Sequence, residues 1–230
     1  MHQFTAEVEE LAKEVLEYSL IRLRTDPPLD GPKTAQELYD LAGNTITEKG
    51  LGGHEALKLF KDVLAKACIS TDHPRYLAFI PSAPSEYANL FDLVVGASAL
   101  YGGSWLEGAG AVFAENQALK WISDLAGMPN TAGGVFVQGS TIGNLSALVT
   151  ARNTFRNKRK DVTRWVIAAS ADSHSSVKSA AEVMDVGILL IKPDKDGILQ
   201  GSACEVAIDK YHQENPSHQV FALVATAGTT

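Results

Sequence analysis

The sequence predicts an α/β protein, a mostly parallel sheet with helices on both faces, preceded by an N-terminal helical arm. Three observations carry this. Short apolar runs alternate with helical segments through the second half of the chain. The runs are almost continuously apolar, as strands buried on both faces must be. Residues 1–70 instead place apolar side chains at helical spacing. With 230 residues, 45% of them hydrophobic and 20% charged, the chain is long and apolar enough to bury a sizeable core.

The elements follow in order. Phe4, Val8, Leu11 and Val15 fall on one stripe of a first helix. The stretch TDPPLDGP at 25–32 breaks the chain with three prolines. Thr34 and Glu37 then form a capping box ahead of a short helix, TAQELYDLA. Gly50, Gly52 and Gly53 precede another helix, striped by Leu57, Phe60, Leu64 and Ala67. Residues 1–70 therefore read as an arm that wraps a partner subunit or caps the main domain, and 71–230 as that domain. Helices are expected at 86–100 and 108–126. Four strands, 134–139, 164–170, 187–192 and 219–226, are separated by helices at 141–157, 175–184 and 202–214. Right-handed crossovers between them give the parallel sheet.

Bulk properties exclude several function classes. A net charge of −7 argues against nucleic acid as a partner. Cys68 and Cys204 lie far apart, without CxxC spacing or a nearby His pair, so neither a metal site nor a disulfide framework is expected. The N-terminus, MHQFTAEVEELAKEV, is acidic and amphipathic rather than a signal peptide, and no apolar run spans a bilayer. A cytoplasmic protein without a membrane partner is the expectation.

In open α/β sheets, ligands bind at the carboxyl ends of the parallel strands. Three stretches occupy those positions: Gln138–Asn144, Asp172–Ser176 and Thr226–Thr230. In QGSTIGN, Gly139 lets the backbone approach a ligand. Ser140 and Thr141 offer hydroxyl and amide donors where a helix begins, and the helix dipole there favours an anion. A phosphate cup and a plain Ser/Thr N-cap both fit this stretch. It is neither a P-loop nor GxGxxG. His174, in DSHSS, could stack on a flat ligand, act as acid or base, or bind a metal, the last being weakest without a second ligand at metal spacing. GSTIG is not the GxSxG nucleophile elbow, and Asp172 and His174 are too close in sequence for ordinary triad geometry.

Five stretches in order complete the picture: HPRYLAFIPSAPS (73–85), GGSWLEGAGAVFAENQALKWISDLAGMP (102–129), GGVFVQGSTIGNLSALVTAR (133–152), SADSHSSVKSAAEVM (170–184) and ALVATAGTT (222–230). Over roughly residues 35–230 the chain resembles the N-terminal half of group II pyridoxal-phosphate-dependent amino-acid decarboxylases. That family includes the aromatic amino-acid and glutamate enzymes. The resemblance implies fold type I, the cofactor pyridoxal 5'-phosphate, and decarboxylation of an L-amino acid by a homodimer. It assigns the cofactor phosphate to Ser140 and Thr141, supported by Asn144, and the cofactor ring to a stacked His174. Thr226 would lie near the cofactor, and Ile80, Pro81 and Trp105 would line the substrate pocket. Two stretches depart from the family: Trp105-Leu106-Glu107-Gly108 stands where many members have Ser-Pro, and Ser140-Thr141 replaces the commoner Gly-Ser or Thr-Ala. The family also needs a lysine that carries the cofactor, in a His-Lys pair, and an aspartate against the ring nitrogen. No His-Lys pair occurs in the 230 residues. These groups are expected on the C-terminal half of the enzyme, as a continuation or a separate chain. Another carbon–carbon lyase of the same fold, or a non-catalytic module, are the alternative readings.

Overall fold

The structure is a computed structural model and describes residues 3–79 and 83–227. The chain forms two compact units, residues 1–112 and 113–230.

The first unit is helical. Helix α1 (Ala6–Arg24) is capped by the Thr5 hydroxyl, which accepts from the Val8 amide at 3.3 Å. Acidic Glu7 and Glu9 sit in its first turn and Arg22 and Arg24 in its last, each matching the helix dipole. Helix α2 (Ala35–Ala42) carries the expected capping box. Thr34 Oγ1 accepts from the Glu37 amide, and the Glu37 carboxylate accepts from the Thr34 amide at 2.7 Å. The Thr34 amide, and with it the Thr34 hydroxyl, donates to the Glu37 carboxylate and holds that carboxyl below its ordinary titration range. The stripe through Leu57, Phe60, Leu64 and Ala67 does not lie on one uniform helix. Helix α3 (Gly53–Leu59) widens into a π-helical turn at Phe60–Leu64 and tightens to a 3-10 turn at Ala65–Ala67. Helix α4 (Glu86–Ser98) is capped by Ser85. Helix α5 (Trp105–Leu125) begins in this unit and is kinked at Gly108, whose backbone is non-helical. A Cβ at Gly108 would stand 2.0 Å from the Tyr101 carbonyl oxygen, so only glycine fits. Among the described residues of helices α1 to α5, none is fully buried.

The second unit holds the core. Three strands, β1 (Arg164–Ser170), β2 (Gly187–Ile191) and β3 (His218–Val224), form a parallel sheet in the order β2-β1-β3. Val166 pairs with Gly187 on one side and Val220 on the other, with a bulge in β3 before Ala222. Strand β1 is central, and Val166, Ile167, Ala168 and Ala169 have no exposed surface. Its side chains alternate between layers. Ile167 and Ala169 face helices α6 (Ser140–Lys158) and α7 (Ser175–Val183), packing with Leu148, Val177, Ala180, Ala181 and Phe221. Ala168 faces helix α8 (Gly201–Glu214), beside Ile191 and Cys204. Before α8, Asp194 accepts from the Gln200 side chain and from the Ile198 and Asp196 amides. These bonds keep its carboxyl below the ordinary range. The expected layering, helices on both faces of a parallel sheet, is present.

One expected strand is not. Residues 134–139 form no ladder with any described residue. The Phe136 amide instead donates to the Glu115 carboxylate at 3.3 Å, and Phe136 is 56% exposed. A strand is defined by its pairing, and among the described residues this apolar run pairs with no strand edge. Among the described residues no helix is long and apolar enough to cross a membrane, and no group of three or more His, Cys, Asp or Glu could hold a metal ion.

Ile167 has no exposed surface and lies between β2, β3 and the α6/α7 layer. Ile167→Ala is expected to cost about 2–5 kcal/mol in urea denaturation. Leu190→Ala, at a half-exposed β2 position, should cost much less.

Candidate functional site

The site is built where α6 and α7 begin. Gly139 is the N-cap of α6, with φ 93° and ψ 160°, a conformation that side chains with a Cβ avoid. It brings no side chain to cap the helix. Ser140 and Thr141 follow as the first two helical residues, both exposed. The start of α6 thus presents two hydroxyls and first-turn amides, with the dipole favouring negative charge.

His174 reaches its position through β1. The strand ends at Ser170, whose hydroxyl accepts from the Asp172 amide at 3.1 Å and whose carbonyl accepts from the Ser173 amide at 3.1 Å. This tight turn delivers His174 as the N-cap of α7. An imidazole here does the work usually given to a Ser or Asp side chain. Its Nδ1 accepts from the Ser176 amide at 3.2 Å and lies 2.8 Å from Ser176 Oγ. Ser176, only 2% exposed, receives a further bond from Asn144 Nδ2 at 2.9 Å. Asn144 lies four residues into α6. One hydrogen-bonded chain therefore runs from α6 to the imidazole.

Thr226 lies two residues beyond β3 and is half-buried. Strand β3 pairs with β1 up to Val224 opposite Ala169, so Thr226 and His174 both follow the carboxyl ends of neighbouring parallel strands. Trp105 opens α5 in the first unit and is 60% exposed. Ile80 and Pro81 lie outside the described residues. Ser176 is the member of this cluster that sequence reasoning passed over. Its signal is the His-x-Ser spacing, which puts the serine on the second helical residue, where the cap bond is received.

The arrangement suits a ligand with an anionic end and a flat face. An uncapped helix start with two hydroxyls can take the anion, and an imidazole fixed at one nitrogen can cover the plane.

The family model described as the pyridoxal-dependent decarboxylase conserved domain matches residues 37–230. The aromatic-L-amino-acid decarboxylase of Bacillus atrophaeus is 30% identical over 190 residues, covering 81% of this chain and 38% of that protein. The L-2,4-diaminobutyrate decarboxylase of Rhizobium meliloti is 26% identical over 189 residues, covering 80% of this chain and 37% of that protein. Among solved structures, Catharanthus roseus tryptophan decarboxylase in complex with L-tryptophan superposes with a TM-score of 0.86 at 17% identity, over 100% of this chain and 51% of that one. Oryza sativa TDC with PLP and tryptamine gives 0.85 at 20% identity, over 100% and 50%. At those identities the structural likeness speaks to the fold alone. The chain spans under two fifths of the length of these curated relatives and about half of the solved chains.

No atom stands within 4 Å of a Cβ built on Gly139, so any penalty there is conformational. Gly139→Ala is expected to lower stability by about 1–3 kcal/mol in urea denaturation. Ala at Gly201, where φ is ordinary, should cost nothing comparable.

Proposed function

This chain belongs to the pyridoxal-dependent decarboxylase family, and we propose that it supplies part of an active site that releases the carboxyl group of an L-amino acid as carbon dioxide and leaves the amine. The observation that carries the reading is the chain from Asn144 through Ser176 to His174. It ties the start of α6, with its two hydroxyls, to a fixed imidazole, and those are the two contacts that a phosphorylated flat ring needs.

The residues present fit pyridoxal 5'-phosphate. Ser140 and Thr141 would hold its phosphate through their hydroxyls and first-turn amides, with Asn144 bracing that turn. His174 would cover one face of its ring, and Thr226 would stand beside it. When bound, the cofactor supplies an electron sink for the pair left behind as carbon dioxide departs. The work of this chain is orientation. The α6 start anchors the anion, while His174 restricts the tilt of the ring and the approach of the amino acid. Ile80, Pro81 and Trp105 would line the pocket for the side chain, and their apolar character favours an aromatic substrate.

A lysine to carry the cofactor and an aspartate at its ring nitrogen complete the chemistry. We place them on polypeptide that continues or accompanies this chain, since relatives are about twice as long. Residues 1–70 are assigned to a subunit interface or cap of a homodimer. The exposed apolar side chains of α1, among them Val8, Leu16 and Ile21, suit such a role.

The test is carbon dioxide release from a panel of L-amino acids by the chain together with its completing polypeptide. Release with stoichiometric amine is expected, with aromatic substrates preferred. No release from any member of the panel defeats the reading. Replacing Ser140 and Thr141 together by Ala should weaken cofactor retention by at least about tenfold, measured by equilibrium dialysis. His174→Ala should lower kcat on the order of 10²-fold while retention changes far less, and an untouched rate would remove His174 from the mechanism.

A further inference from the structure

We propose that Ser176 is a positioning residue that locks His174 as the tautomer protonated on Nε2, so that this imidazole acts as a hydrogen-bond donor rather than a base. The argument is a count of protons. The Ser176 backbone amide can only donate, and it points at His174 Nδ1 from 3.2 Å. A proton on Nδ1 would collide with that donor, so Nδ1 presents its lone pair. Asn144 Nδ2 can also only donate, and it reaches Ser176 Oγ at 2.9 Å. The serine oxygen accepts there, which frees its one hydrogen for Nδ1, 2.8 Å away. Two donors thus converge on Nδ1, and the neutral ring carries its proton on Nε2. The backbone donor favours the same tautomer even if the Asn144 amide were turned over, and the serine hydroxyl adds the second donor that holds it.

Burial makes the arrangement rigid. Ser176 is 2% exposed and sits in the first turn of α7, next to Val177, which is equally buried. The ring cannot take a proton at Nδ1 without giving up both the hydroxyl bond and the helix cap. The other ring nitrogen, Nε2, is then an N–H donor, suited to a carboxylate or another acceptor on the substrate. This consequence for catalysis rests on the decarboxylase reading; the tautomer does not.

The experiment is a long-range proton–nitrogen NMR correlation on the full chain with nitrogen-15-labelled histidine. The His174 signals are identified by their loss in His174→Gln. An unprotonated Nδ1 and a protonated Nε2 are expected in the parent chain, and a proton on Nδ1 overturns the proposal. In Ser176→Ala the two ring nitrogens should move towards each other as the tautomers mix, with a smaller move in Asn144→Ala. An unchanged spectrum in Ser176→Ala overturns the role of Ser176. The parent spectrum alone decides the tautomer, so a variant that fails to fold leaves the test intact. In the active assembly, Ser176→Ala should lower kcat about 10–100-fold with KM and cofactor retention little changed, and an unaltered kcat defeats the positioning role. An Nε2 tautomer in a protein that releases no carbon dioxide supports the lock and counts against the decarboxylase reading alone.

Discussion

Everything in the second unit follows from one strand buried on both faces. Four successive residues of β1, Val166 to Ala169, have no exposed surface. That is possible only if a strand lies on each side and a helical layer on each face. Parallel pairing with β2 and β3 then sends every strand's carboxyl end the same way. The turns after β1 and β3 emerge together for that reason, and His174 and Thr226 with them. The small side chains of Ala168 and Ala169 let the layers approach, Ala169 against Ala180 and Ala181 of α7 and Ala168 against Cys204 of α8. A site at this edge is a consequence of core packing, and its polar residues need only occupy positions that the sheet has already chosen.

The core alone does not fix how α6 lies along α7; two polar staples do. At one end Asn144 reaches Ser176, and at the other an Arg152 guanidinium nitrogen donates to the Met184 carbonyl at 3.0 Å. Both span from α6 to α7, eight residues apart on each helix. Between them the contact is apolar, through Leu148, Val177, Ala180 and Ala181. Hydrophobic burial supplies the attraction but little direction, whereas the staples set the register. The second staple also places a cation at the carboxyl end of α7, where the dipole favours it. The imidazole and the hydroxyl pair are held in relation by packing that begins some way from either.

Much of this was legible in the sequence, because the signals were local. The strands at 164–170, 187–192 and 219–226 announce themselves as apolar runs, and their residues stand in β1, β2 and β3 with ends shifted by a few positions. The capping box of Thr34 and Glu37 is likewise a local pattern. The segment at 134–139 shows where local reading stops. Its residues are as apolar as those of a strand, but a ladder requires a second edge, and composition says nothing about whether one is near. Phe136 finds a carboxylate from α5 instead. Ser176 was missed for the opposite reason. A serine near a helix start is unremarkable, and its importance comes from Asn144, thirty-two residues earlier in the chain. The change of pitch between Phe60 and Ala67 was also invisible, since the apolar spacing suits a helix of any of the three pitches.

The beginning of α6 is not distinctive in backbone geometry alone. Helix α3 opens on Gly52 at φ 78° and ψ 158°, close to Gly139, and neither has a side-chain cap. Helix α8 also lacks one. An uncapped start is therefore a recurrent feature of this chain, against the side-chain caps of α1, α2, α4 and α7. What separates α6 is the company of that start. Helix α3 follows with Gly53 and His54, and His54 is engaged by Glu14 at 3.0 Å, which raises its affinity for a proton. A carboxylate beside that helix start disfavours a second anion there. Helix α6 instead follows with two hydroxyls and no acidic residue in its first turn, and its Asn144 is bonded to the serine that fixes His174. In the proposed reading, anion selectivity at one helix start and not another is a matter of neighbouring charge and added donors, not of the dipole that every helix carries.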